Sequence, residues 1–131
     1  MDIRYFDDLN VAVASPRGAY SLAEVLGWSQ TLRADPGFRT GMNEIYDLSD
    51  VDPSGVHYDD VQDLIDQVRP ASRADVVCVA IIAPSDLAFG LARMYVSLGS
   101  SEARPGPSVF RSLDEALAWL AAEVATQDSH A

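Results

Sequence analysis

The stretch Asp75-Val76-Val77-Cys78-Val79-Ala80-Ile81-Ile82-Ala83-Pro84 decides how the chain is read. It is a continuous apolar run, rich in β-branched residues and shorter than the ~20 residues a membrane-spanning helix needs. A strand that is apolar on both sides has to be covered on both faces. That places it inside a mostly parallel sheet, with parallel neighbours on either side.

Working back from it, residues 3–6 and 9–15 read as two short strands paired as an antiparallel hairpin. Leu9, Val11 and Val13 alternate with Asn10, Ala12 and Ala14. Ser15-Pro16-Arg17-Gly18 marks a turn. Ser21 and Glu24 form a capping box before a first helix, with Tyr20 stapled onto Val25. Leu22, Val25, Leu26 and Leu32 share its inward face, with Trp28 beside them. Asp35-Pro36-Gly37 ends it, because a residue before proline avoids the helical region. Residues 42–48 form a third strand and residues 49–55 a polar loop of turn formers. A second helix over 57–69 puts Tyr58, Val61, Leu64, Ile65 and Val68 on one stripe. Asp59, Asp60, Asp63 and Asp66 lie on its other face. Pro70-Ala71-Ser72-Arg73 leads into the central strand.

Working forward, Ser85 caps a helix over 86–98 that is apolar almost all round and stops at Gly99. Residues 100–107 are a loop and residues 108–110 a short last strand. Ser112 and Glu115 make a second capping box, opening a helix with Leu113, Leu117, Leu120 and Val124 inward and Trp119 adjacent. The order β-β-α-β-α-β-α-β-α predicts one α/β domain over residues 1–125. It is a mostly parallel five-stranded sheet, its first strand antiparallel, with four helices. Residues 126–131 read as a frayed polar tail.

Composition narrows the partners. The chain has 131 residues, 48% of them hydrophobic, enough for one substantial core. Twenty acids against nine bases give a net charge of −11. That field repels phosphate backbones and anionic headgroups, so no nucleic acid and at most transient membrane contact are expected. A single cysteine allows no internal disulfide, and no signal peptide or spanning segment is legible. A cytoplasmic location is the expectation. No cofactor or metal is expected: His57 and His130 are far apart, and the acidic helix face lacks a calcium-binding loop.

Four stretches together resemble a known family. They are Gly18-Ala19-Tyr20-Ser21, Tyr46-Asp47-Leu48-Ser49, Phe89-Gly90-Leu91-Ala92-Arg93-Met94-Tyr95, and Val109-Phe110-Arg111-Ser112 with Glu115-Ala116-Leu117-Ala118-Trp119-Leu120. With the element order they resemble the SpoIIAA-like group, which has the STAS-type and Sec14-type fold. The resemblance implies a non-enzymatic binding or regulatory module. It would accommodate a small nonpolar ligand or contact a protein partner, a second copy of the chain included. It also implies, as an alternative, an anti-sigma-factor antagonist switched by a serine phosphate, with Ser54 before Gly55 as the acceptor candidate.

Each candidate has a plainer reading beside it. Ser54 is equally a loop or cap serine, and Asp50, Asp52, Asp59 and Asp60 would repel a phosphate of about −1.5 to −2 charge. Phe89, Gly90, Arg93, Met94, Tyr95 and Leu98 are the ligand-binding candidates, on a helix that would form a lid over an apolar cavity. Their plain reading is a helix buried on two sides, with Gly90 permitting close packing. Arg93 is expected to pair with Asp47 or Glu44, or to hold an anionic headgroup. Cys78 reads as a small buried apolar residue. An enzymatic site would have to come from Asp47, Ser49, Ser85 and Asp86 at the strand ends, and no catalytic residue is assigned.

Overall fold

The computed structural model describes residues 1–19, 22–68, 78–99 and 107–129. The chain begins with β1 (Asp2–Phe6), a 3-10 turn over Asp7–Leu9, β2 (Val11–Ser15) and β3 (Arg17–Ala19). Helix α1 (Leu22–Ala34) leads to β4 (Asn43–Asp47), β5 (Asp50–Asp52) and a 3-10 turn at Pro53–Gly55. Then come α2 (Tyr58–Val68), β6 (Val79–Ile82), α3 (Asp86–Gly99), β7 (Ser108–Phe110) and α4 (Leu113–Ser129).

The main sheet has five strands in the order β1-β2-β4-β6-β7. β1 is antiparallel to β2, and every other pair is parallel. Strand β6 sits between two parallel neighbours, with Ile81 level with Tyr46 on one side and Val109 on the other. Residues 75–77 of the predicted strand lie outside the described residues, as do Tyr20 and Ser21 of the first capping box.

Both faces of β6 are covered, fully at Ala80 and Ile82 and in part at Val79 and Ile81. On one, Val11, Val13, Ile45, Cys78, Ala80 and Ile82 pack against Ala116 and Leu120 of α4. On the other, Ala12, Ala14 and Tyr46 meet Leu32 of α1, and Ile81 and Ala83 meet Ala88 and Ala92 of α3. Small residues on that face let two helices lie close to the sheet. Helix α2 adds a further layer through Val61, which packs on Leu91.

Local chemistry explains the helix starts. Ser85 Oγ accepts from the Ala88 amide at 3.1 Å, and Ser112 Oγ from the Glu115 amide at 3.2 Å. Glu115 reaches back to the Arg111 amide rather than to that of Ser112. His57 donates its amide to Asp60 at 2.9 Å, closing the same kind of box on α2.

Three expectations need correction. The segments read as a turn and a polar loop contain β3 and β5, which pair in parallel as a second, two-stranded sheet. They leave adjacent parallel strands β2 and β4, so they stay side by side beyond the sheet, and turn formers do not forbid three paired residues. The second strand starts at Val11, not Leu9, because Asp7–Leu9 coil into a 3-10 turn closed by Asn10 at φ 51°. Helix α4 continues to Ser129, into the segment read as a tail.

Two buried polar groups organise the sheet. Asn43 donates its side-chain amide to Leu9 O (3.0 Å) and accepts from the Cys78 amide (3.0 Å). It thereby clips the start of β4 to the segments beginning β2 and β6. Glu44, 3% exposed, accepts from Arg33 of α1 at 2.9 Å and from the Tyr46 hydroxyl at 2.5 Å. Leaving such a group unpaired costs about 1–3 kcal/mol, so the three side chains act as a unit holding α1 to the sheet.

Burial, then the Glu44 carboxylate, push the Tyr46 phenol well above its usual range. Burial and the Asp35 carboxylate, which accepts its hydroxyl, push Tyr5 up to about 12. A raised phenol stabilises the fold fully below the ordinary value of 10.0, and that contribution is lost as pH rises towards 12. Denaturant titrations across this window should show wild type losing more stability than Tyr5→Phe. Equal losses would mean Tyr5 is no more protonated in the fold than in the open chain.

Candidate functional site

Among the described residues the sheet ends at β7, whose outer edge has no strand partner. Helix α3 lies on one face there and α4 on the other. Between them the β7 edge forms the floor of an open groove of about 370 Å³. Phe89, Arg93, Val96 and Ser97 of α3 make one wall. Pro107, Ser108, Val109 and Phe110 supply the floor, and Trp119 of α4 the other wall. Phe110 and Trp119 lie against each other, ring centroids 5.5 Å apart and tilted by 43°. Both have their inner sides in the core under α4.

Two arginines meet the Phe89 ring. Arg111 stacks 4.0 Å from its centroid, and its Nη1 donates to Pro84 O and Asp86 Oδ1, each at 3.0 Å. This residue ties the end of β7 to the start of α3. The Arg93 guanidinium lies 5.9 Å from the ring centroid. It pairs with neither Asp47 nor Glu44: Asp47 accepts from the Ser49 amide and hydroxyl, and Glu44 holds Arg33 and Tyr46.

The candidates on α3 are split by the turn of the helix. Phe89 and Arg93 line the groove. Met94 and Tyr95 pack on the other side, around Val61 and Leu91, where burial raises the Tyr95 phenol. The Leu98 side chain lies outside the described residues. Asp86, Leu87, Gly90, Arg93 and Ser97 form a water-facing stripe, so the helix is not buried all round. Gly90 permits no close packing: a Cβ there meets nothing within 4 Å.

Ser54 is exposed, in the 3-10 turn after β5. Its amide donates to Asp52 Oδ1 at 3.0 Å. That bond, and then the Ser54 hydroxyl, hold the Asp52 carboxyl below its usual range. A phosphate would therefore meet a carboxylate already seated on this turn. The strand-end polar residues likewise have local roles. Asp47 closes a turn, Ser85 caps α3 and Asp86 pairs with Arg111. Among the described residues, no three of His, Cys, Asp and Glu come together as a metal set. No described helix is long and apolar enough to cross a membrane.

The sequence reading placed Val96, Ser97, Val109, Phe110 and Trp119 on their helices and last strand without singling them out as groove residues. Their signal is positional: the last strand of such an order is an edge, and a bulky pair beside it has one side uncovered.

Gly90→Ala should stabilise the protein by up to about 1 kcal/mol, because an exposed helix interior gains alanine's propensity without a clash. Chemical denaturation measures it, and a destabilised variant would mean that something packs on this position. Comparisons of the chain with protein-family models, with curated proteins and with solved structures find no match in any of the three.

Proposed function

We propose that the protein is a non-enzymatic binding or regulatory module whose site is the groove between α3, the β7 edge and α4. The observation that carries this reading is the wall chemistry. Three aromatic rings, Phe89, Phe110 and Trp119, meet Val96 and Val109 along an open edge of about 370 Å³. Water in such a groove is displaced favourably by an apolar body, at roughly 25 cal/mol per Å² of surface removed from solvent. Pockets for small molecules share this make-up: mostly apolar, with a few polar groups at the rim, here Arg93, Ser97 and Ser108.

A binding role also suits the remaining polar residues. The carboxylates and serines at the strand ends serve turns, caps and an ion pair. The element order resembles that of the SpoIIAA-like group, for which a module without its own chemistry is the expectation. The Ser54 switch is the weaker reading, because Asp52 already occupies the turn.

Ser97→Trp tests the proposal with little risk to folding, since Ser97 is exposed and lies on the groove wall. Native mass spectrometry of freshly purified wild type should show a retained small-molecule adduct, or one formed on adding an apolar alcohol. The variant should lack it. An adduct equally populated in both proteins would place the site elsewhere.

A further inference from the structure

Arg93 identifies the occupant more closely. It is exposed on the groove wall and, among the described residues, its guanidinium makes no ion pair. Arg111, the other arginine at the Phe89 ring, is committed to Pro84 O and Asp86. On a chain of net charge −11, a cation left open beside apolar walls is a local exception.

Resting on the binding reading above, we propose that the groove takes a small molecule with an apolar body and one carboxylate. The body lies against Phe89, Val96, Phe110 and Trp119, and the carboxylate meets Arg93. A guanidinium presents parallel N–H groups that match the two oxygens of a carboxylate, and the apolar walls reduce the water competing for the pair.

Size and shape exclude the other occupants. A groove of about 370 Å³ is near the small end of the ~300–1,000 Å³ typical of ligand sites, so it suits one chain or ring system rather than a two-chain lipid. An extended peptide added at the edge would need a longer partner strand. β7 has three residues and follows Pro107, whose nitrogen offers no donor. An anionic bilayer surface would be repelled by the net charge.

The test compares decanoate with 1-decanol at neutral pH by isothermal titration calorimetry, on wild type, Arg93→Met and Ser97→Trp. Arg93 is exposed, so its replacement leaves the core intact. Wild type should bind decanoate about tenfold more tightly than decanol, a difference of ~1.4 kcal/mol. In Arg93→Met the two affinities should converge while decanol binding persists. Equal affinities in wild type, or a preference unchanged in Arg93→Met, would overturn the carboxylate assignment. Decanol binding abolished by Ser97→Trp would then leave the groove reading standing. Failure of wild type to bind either probe would overturn both.

Discussion

An apolar strand cannot leave either face in water, and strand β6 is apolar on both. Its odd and even residues together exclude the solution available to an antiparallel sheet, in which one face stays wet. The structure satisfies this constraint with α4 on one side and α1 and α3 on the other. Covering both faces also creates the groove. Two helices that shield the faces of a sheet do not shield its margin, so the last strand lies at the bottom of a cleft between them. The candidate site is thus a by-product of burying β6, furnished by the side chains that happen to face outwards at β7.

Polar groups inside the sheet set the positions of its strands and of α1. Asn43 satisfies backbone groups from two other segments at the amino ends of the strands. Glu44 is carried into the core by strand alternation and made tolerable by Arg33 and Tyr46. Each has its partners, and no buried side-chain nitrogen or oxygen among the described residues is left unpaired. Arg111 does similar work at the margin, joining β7 to the first turn of α3 through Asp86 and Phe89. Arg93, one helical turn beyond Phe89, makes no ion pair among the described residues.

The architecture was legible because it follows from periodicity. The run around Cys78–Pro84, the alternation in residues 9–15 and the serines at positions 85 and 112 each report a local rule the fold obeys. What escaped depends on distance. The β3–β5 pair joins residues about thirty positions apart, and nothing in Arg17-Gly18-Ala19 or Asp50-Val51-Asp52 announces the other. The 3-10 turn at Asp7–Leu9 hides inside an apparently continuous strand because Leu9 keeps the alternation. The groove was half legible: Phe89 and Arg93 were candidates, but Met94 and Tyr95 looked equivalent to them. An almost uniformly apolar helix does not say which side meets another helix and which faces the groove. That choice was made by α2, whose Val61 claims the Leu91 side.

The central claim is that β6 lies between two parallel strands, with β7 as the margin of the sheet among the described residues. Cross-strand nuclear Overhauser contacts test it directly. The account predicts backbone contacts from Ala80 to Ile45 on one side and to Ser108 on the other, both in parallel register, with none beyond β7. Contacts from Ala80 to one strand only, or a strand paired outside β7, would contradict the fold and remove the groove with it.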